Sequence, residues 1–162
     1  HQHLGLVDCF SVPENIFLGR EIVGRFAGVR YLRHAEMRKR TQALLDELGI
    51  RLPSIDSVVS TLSGGQRQSV AISRLLLSDV QLIIMDEPMA ALGVDEGRKV
   101  LDLICRLSAK GIAVLVISHN LEHVFGIAHR IAVLKNGTLV GVVSRTDLFR
   151  RITQDAKEPN PG

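Results

Sequence analysis

The spacing of apolar positions changes several times along the chain, and each change predicts a different element. Between residues 33 and 48 the apolar side chains recur at helical spacing on one face, and Gly49 is a natural helix stop. A second helical pattern begins at Ser63 and fades at Ser78-Asp79. A third covers 94–110 and stops at Gly111. Shorter helices are predicted over 15–18 after Pro13, over 120–127 and over 145–152.

Continuous apolar runs predict strands. The runs at 81–85 and 112–117 have strand length, and the unbroken apolar run at 81–85 is typical of a strand that is buried on both faces. Two further runs, 130–134 and 138–143, flank the turn Lys135-Asn136-Gly137 and predict a β-hairpin.

The order strand, helix, strand predicts a parallel sheet with a right-handed crossover, and therefore an α/β fold. We expect a helical subdomain over 1–80, a parallel β/α core with a terminal β-hairpin over 81–152, and a loose tail over 153–162. The first 78 residues are predicted to be mostly helical and supply no strand to this sheet. Two parallel strands and a hairpin leave an open edge, so we expect further strands upstream.

Composition narrows the classes of function. The 162 residues are enough for one domain with a real core, and 46% hydrophobic with 23% charged residues is typical of a soluble globular protein. An aromatic content of 4% without Trp disfavours stacking on single-stranded nucleic acid. Two cysteines without metal spacing fit a reducing compartment. No apolar run reaches the roughly 18 residues of a membrane-spanning helix.

The net charge of +3 is partly concentrated in residues 20–40, which hold seven Lys/Arg against two acids. Such a run is usually a solvated face or the neighbour of a phosphate group, and we favour that interpretation over nucleic-acid binding. The chain opens at His1 without a signal-peptide pattern, and without Met, so we do not expect residue 1 to be the native translation start.

The segment Ser63-Gly64-Gly65-Gln66 predicts a phosphate-binding helix start. Ser at an N-cap with Gln three residues later is a capping box. The two glycines leave the first-turn amides accessible to an anion, and the helix dipole adds positive potential there. A simple helix cap is the alternative, and it would be favoured if no acidic strand end followed downstream.

Asp86 and Glu87 follow the apolar run 82–85 and are predicted to lie at the carboxyl end of a strand. Open α/β sheets bind ligands at that end. Because successive strand side chains point in opposite directions, the two carboxylates can differ in role. Asp86 can hold Mg²⁺ beside nucleotide phosphates, and Glu87 can polarise the attacking water. The alternative is a solvent-exposed acidic strand end.

His119 follows the second predicted strand and is the third candidate. A neutral imidazole at a strand end can donate to a phosphate oxygen and accept from water. We interpret His34, His123 and His129 as structural or solvated.

These motifs resemble the nucleotide-binding domain of ABC transporters. Leu62 to Gln66 is similar to the family's signature motif and Leu82 to Glu87 to its Walker B strand. His119 is similar to the switch histidine and Gln2 to the Q-loop glutamine. The segments 15–21, 90–94 and 117–120 resemble the monosaccharide importers of that family most.

The resemblance implies an ATP-binding, ATP-hydrolysing subunit of an importer, with ATP and Mg²⁺ as cofactors. It assigns catalysis to Glu87, His119 and Gln2 and the metal to Asp86 and Gln2. Nucleotide contacts fall to the signature residues, which are Ser63, Gly64, Gly65 and Gln66.

The same resemblance implies the partners and the location. It implies a second ATP-binding cassette, as a homodimer or in tandem, with each signature motif facing the other subunit's nucleotide. It implies membrane permease subunits and, indirectly, a periplasmic or surface solute-binding protein, with the chain peripheral on the cytoplasmic face of the membrane and no nucleic acid.

The chain departs from the family pattern at one main point. It contains no Gly-x-x-x-x-Gly-Lys-Ser/Thr loop, and no Lys follows a Gly anywhere. We therefore expect a cassette cut before its Q-loop that is inactive alone. Met89 stands where the family usually has Thr or Ser, and Gly93 stands where many members have Asp.

Two alternative functions stay open. One is a non-catalytic cassette that packs against or regulates another subunit, and the other is a nucleic-acid-associated ABC ATPase.

Overall fold

A computed structural model describes residues 5–144 and Asp147. The chain divides into two compact units, His1–Ile117 and Ser118–Gly162. The predicted subdivision at residues 80 and 81 stays a prediction. Outside the described residues lie Gln2, the predicted helix over 145–152 apart from Asp147, and the tail over 153–162.

The first unit contains four α-helices and two pairs of strands among its described residues. In chain order they are α1 (Val12–Ile16), β1 (Val23–Phe26), β2 (Val29–Leu32), α2 (His34–Glu47), a 3-10 turn (Val59–Thr61), α3 (Gly64–Leu75), β3 (Leu82–Asp86), α4 (Val94–Ala109) and β4 (Ala113–Ile117). The helices predicted over 33–48, from Ser63 and over 94–110 are therefore confirmed to within three residues at each end.

The core of the helical part forms where α1, α2 and α3 meet. Its buried apolar side chains are Val12, Ile16, Phe17, Met37, Leu45, Val59, Leu62 and Val70. Helix α1 starts three residues earlier than predicted because Ser11 and Glu14 interact at its N-terminus. The Ser11 hydroxyl and backbone N–H both donate to Glu14 Oε2, at 2.7 and 2.8 Å. Proline lies inside this first turn, where its missing N–H does no harm.

Asn15 fixes the segment that precedes α1. Its side chain is fully buried, and Oδ1 accepts from the Val7 N–H at 2.7 Å. Its Nδ2 donates to the carbonyls of Val7, Phe10 and Ser11 at 3.0 to 3.2 Å. Both the oxygen and the nitrogen of the buried amide thereby have hydrogen-bond partners, as burial of a polar group requires. The loop over 7–11 is consequently held against the helical core.

Strands β1 and β2 form an antiparallel hairpin that the apolar spacing did not predict. They are paired from Val23 with Leu32 to Phe26 with Val29. Both turn residues, Ala27 and Gly28, have positive φ, at 47° and 83°, as a tight two-residue hairpin turn requires. The interpretation of the first 78 residues as mostly helical was therefore incomplete.

Strands β3 and β4 pair in parallel from Leu82 with Ala113 to Asp86 with Ile117, as predicted. Burial on both faces was wrong for β3. Ile83 and Met85 are buried, whereas Leu82 and Ile84 are 55% and 61% exposed. The reason is that α4 packs on one side of the strand pair, and no described element covers the other.

Helix α4 packs against α3 and β4 and also reaches the end of α2. Arg106 Nη1 donates to the Leu48 carbonyl at 2.5 Å, and Lys110 forms an ion pair with Glu47. Gly49 has φ +64° and ends α2 as predicted. Its missing Cβ leaves room for Arg106, whose Nη1 would otherwise lie 1.6 Å from it.

The second unit contains α5 (Leu121–Ile127) and the strands β5 (Arg130–Lys135) and β6 (Thr138–Ser144). The two strands form the predicted hairpin, with an irregularity between Val133 and Leu134. Asn136 and Gly137 have φ 50° and 75°, which suits the turn. Within residues 5–144, no helix combines the length and apolarity needed to cross a membrane.

Candidate functional site

Helix α3 begins with a closed capping box. Ser63 lies at the N-cap in extended conformation, and Gln66 Oε1 accepts from the Ser63 N–H at 3.0 Å. The Ser63 hydroxyl oxygen in turn accepts from the Gln66 N–H at 3.4 Å. Ser63 is exposed, Gly64 and Gln66 are half-buried, and Gly65 is buried. The predicted capping box is confirmed, and its hydroxyl faces solvent.

The two glycines serve a second purpose that the sequence reasoning missed. A Cβ on Gly65 would lie 2.9 Å from Glu96 Cβ and 3.4 Å from Glu96 Cα. A Cβ on Gly64 would lie 2.9 Å from Leu92 Cδ2. The missing side chains therefore let the start of α3 approach the start of α4 closely. In the sequence, the two consecutive glycines at the start of α3 are the signal that could have indicated this close contact between helices.

Asp86 ends β3 and is exposed, whereas Glu87 follows it and is half-buried. The Glu87 N–H donates to the Ile117 carbonyl at 2.9 Å, which continues the parallel ladder one residue beyond the strand. Glu87 has a left-handed backbone with φ +44°. A non-glycine residue in that region costs about 1–3 kcal/mol and is frequent at functional sites.

A tight turn follows the two acids and leads into α4. The Ala90 N–H donates to the Glu87 carbonyl at 3.0 Å, and Ala91 has φ +61°. Met89, the departure from the family pattern, is 8% exposed and lies against Gly97 of α4. Gly93 is exposed at the N-cap of α4. Met89 is thus a packing residue.

His119 belongs to the second unit, two residues after the end of β4, and is exposed. The loop around it is fixed locally. The Asn120 N–H donates to the Ser118 hydroxyl oxygen at 3.2 Å, and Asn120 Oδ1 accepts from the His123 N–H at 3.1 Å as the cap of α5. Gln2 lies outside the described residues, so its predicted place stays a prediction.

The first unit thus joins two of the predicted motifs through their flanks. The signature helix start contacts Leu92 and Glu96, which follow the acidic strand end. Among the residues that the structure describes, no three His, Cys, Asp or Glu side chains form a metal cluster. A lone exposed carboxylate fits Mg²⁺ that is held mainly by nucleotide phosphates and water.

The fold is that of an ATP-binding cassette. The structure aligns with the dimeric ATP-binding cassette MJ0796 bound to ADP and Pi, with a TM-score of 0.67, 28% identity, and 90% of this chain and 61% of that chain covered. The sequence model described as ABC transporter matches residues 1–90, and the chain belongs to this family.

Several curated relatives are named as sugar importers. A fructose import ATP-binding protein of Rhizobium meliloti is 43% identical over 91% of this chain and 58% of its own length. A xylose/arabinose import ATP-binding protein of Sulfolobus acidocaldarius is 42% identical over 86% of this chain and 54% of its own length. A ribose import ATP-binding protein of Caldanaerobacter subterraneus is 37% identical over 99% of this chain and 33% of its own length. The chain thus spans about a third to three-fifths of these relatives.

Proposed function

We propose that the complete protein is the ATP-binding and ATP-hydrolysing subunit of an ABC importer for a sugar. The observation that carries the proposal is one α/β unit with both a capped Gly-Gly helix start and a parallel strand ending in Asp86 and Glu87. The first suits recognition of a phosphate group, and the second supplies carboxylates at the ligand-binding end of a sheet.

The signature residues would contact a nucleotide held by a second cassette. Ser63 is exposed with its hydroxyl at the positive end of α3, and Gln66 keeps that hydroxyl in place. The amides of the first turn, at Gly64 and Gly65, add donors toward an anion. A dimer, either of two such chains or of tandem cassettes, follows from this role.

Asp86 would hold Mg²⁺ beside the nucleotide of its own subunit, because its carboxylate is exposed at the strand end. Bound Mg²⁺ neutralises developing phosphate charge. Glu87 would orient and polarise the attacking water. Its N–H donates to the Ile117 carbonyl in the sheet ladder, so its backbone position is fixed and the carboxylate is attached at a defined point.

His119 and Gln2 complete the proposed catalytic set. His119 is exposed on a loop held by Ser118 and Asn120, where its imidazole would donate to the terminal phosphate. Gln2 would reach the metal and water through its side-chain amide. Both assignments rest on the family motif.

The sugar substrate is supported by the relatives' names, which are fructose, xylose/arabinose and ribose import ATP-binding proteins. An importer subunit of this kind would dock on membrane permease subunits at the cytoplasmic face and serve a solute-binding protein indirectly. These 162 residues contain no Gly-Lys phosphate loop, and we propose that the complete protein supplies it upstream. By itself this chain would then not hydrolyse ATP.

The test is ATP turnover by the complete protein with Glu87→Gln. We expect turnover to fall by several orders of magnitude while ATP binding is kept, because the amide preserves shape but loses basicity. Asp102→Asn, the same chemical change at an exposed α4 position, is the matched control and should leave turnover unchanged. Equal turnover in Glu87→Gln and Asp102→Asn would refute the role of Glu87.

A non-catalytic, regulatory cassette is the second candidate, and the missing phosphate loop is the observation that favours it. The upstream reading frame separates the two. An in-frame Gly-x-x-x-x-Gly-Lys-Ser/Thr supports the ATPase, and its absence supports the regulatory cassette.

A further inference from the structure

The β1–β2 hairpin presents an apolar tip to solvent. Residues 26 to 29 read Phe-Ala-Gly-Val, and Phe26 and Val29 are 78% and 67% exposed. These two side chains are cross-strand partners and lie on one face of the hairpin. Tyr31 shares that face and packs over Gly24, where a Cβ would lie 2.5 Å from the ring. Large exposed side chains gathered at one protruding tip indicate an interaction surface.

Immediately behind the tip, two arginines face each other. Arg25 and Arg30 are direct cross-strand partners, and both are exposed. Like charges in directly opposite positions destabilise a strand pair, so this arrangement costs stability unless an anion lies between them. Arginine guanidinium groups are also the side chains best suited to bind phosphate bidentately.

The neighbouring acids do not neutralise this arginine pair. Glu21 Oε1 accepts from the Gly19 N–H at 2.9 Å, and Glu36 is paired with Arg40 at 2.8 Å. Within the described residues, no ion pair connects Arg25 or Arg30 to a carboxylate. The hairpin therefore offers an unneutralised cationic pair next to the apolar tip, on the opposite face of the two strands.

We propose that the β1–β2 hairpin docks on an anionic phospholipid surface. Phe26 and Val29 enter the boundary between headgroups and acyl chains, and Arg25 and Arg30 bind the lipid phosphates around the inserted tip. Apolar side chains with adjacent basic groups are the combination that holds proteins at a membrane interface. The tip is a two-residue turn flanked by one residue on each side, which suits shallow insertion better than a deep protein groove.

This contact would be separate from docking on a permease and needs neither ATP nor hydrolysis. It would orient the first unit by holding the helical part against the bilayer. Because no nucleotide takes part, its test and the test of ATP turnover can fail independently of each other.

The experiment is co-sedimentation of the full-length protein with phosphatidylcholine vesicles, with and without phosphatidylglycerol, at low and high salt. We expect binding to the anionic vesicles that weakens with salt. Arg25→Ser combined with Arg30→Ser should weaken it on the order of tenfold, and Phe26→Ser combined with Val29→Ser should weaken it at both salt concentrations. Arg98→Ser with Lys99→Ser, two exposed α4 positions, removes the same charge and should bind as wild type.

A second measurement does not depend on those variants folding equally well. These 162 residues contain no Trp, so Phe26→Trp adds the first Trp among them, at the tip of the hairpin, and its emission is read as the difference from the unsubstituted protein. Its emission should shift to the blue on anionic vesicles and stay unchanged on neutral ones. Unchanged emission on anionic vesicles, or equal loss of binding in the Arg98/Lys99 control, would overturn the proposal. Binding to RNA or to an acidic protein in place of vesicles would overturn it as well.

Discussion

Arg74 Nη1 lies 2.6 Å from the carbonyl oxygen of Gly5, so the last turn of α3 is bonded directly to the segment that follows Gln2. Gly5 has φ +63°, which turns its carbonyl toward the arginine at a conformation few other residues adopt. The helix that carries the signature motif and the start of the described chain therefore share a charge-assisted hydrogen bond.

Arg74→Ala should release this segment. We expect faster amide hydrogen exchange over residues 5–10 and a free energy of unfolding lower by about 1 kcal/mol, the typical net contribution of one hydrogen bond, because the pair is exposed to solvent. Arg98→Ala, in the exposed middle of α4, should change neither. Exchange over 5–10 that is equal in the two variants would contradict the link.

The close approach of α3 and α4 predicts unequal effects of two adjacent substitutions. Gly65→Ala places a methyl group against Glu96 Cβ and Cα, which cannot yield without shifting backbone. It should lower the free energy of unfolding by about 1–3 kcal/mol. Gly64→Ala meets only the mobile ends of the Leu92 and Glu96 side chains and should stay within about 0.5 kcal/mol of wild type. Urea unfolding of both variants is the measurement, and equal effects would show that Glu96 does not limit the approach.

The left-handed backbone at Glu87 predicts that a glycine at this position raises the free energy of unfolding and lowers ATP turnover. Glu87→Gly removes the strain of φ +44° and should raise the free energy of unfolding by about 1 kcal/mol, while it removes the carboxylate. Asp102→Gly makes the same change inside α4, where glycine costs about 1 kcal/mol relative to alanine. Chemical denaturation should therefore move in opposite directions for the two variants. A less stable Glu87→Gly protein would argue against strain at this position.

Glu14 predicts a pH dependence of stability. Donation from the Ser11 hydroxyl, and then from the Ser11 backbone, lowers the pKa of the Glu14 carboxyl below its ordinary 4.5. Because the folded pKa is depressed, this contribution to stability is complete above pH 4.5 and is lost as the pH falls through the folded pKa. Glu14→Gln should flatten that part of the stability profile, and Ser11→Ala should raise the carboxyl pKa in an NMR titration. An unshifted carboxyl in Ser11→Ala would assign the lowering to another cause.

The elements that sequence reasoning found are those with local causes. The cap at Ser63, the stop at Gly49 and the turn at Asn136-Gly137 each depend on residues within a few positions, so the pattern alone specified them. The hairpin at 23–32 was missed because its two arginines and central glycines interrupt the apolar alternation. Its stability comes from cross-strand pairs such as Tyr31 over Gly24, which spacing does not reveal.

The candidate site divides in the same way. The positions of Ser63, Asp86 and Glu87 at a helix start and a strand end followed from the sequence. The contact of Gly65 with Glu96 joins positions 31 residues apart, and the left-handed φ of Glu87 is imposed by the turn into α4. The exposure of one face of β3 was not predicted. An apolar run shows that its side chains favour burial, but the neighbouring elements decide which face of the strand is covered.

The hydrogen bond from Arg106 to the Leu48 carbonyl limits which segments of the cassette can be exchanged between related proteins. The carbonyl of Leu48, the C-cap of α2, accepts from a side chain 58 positions further along, and the space for that side chain exists because residue 49 is glycine. A chimera that exchanges residues 1–80 between relatives must therefore carry Gly49 and Arg106 together. The helical segment with Gly49 therefore has to be transferred together with an α4 that carries Arg106.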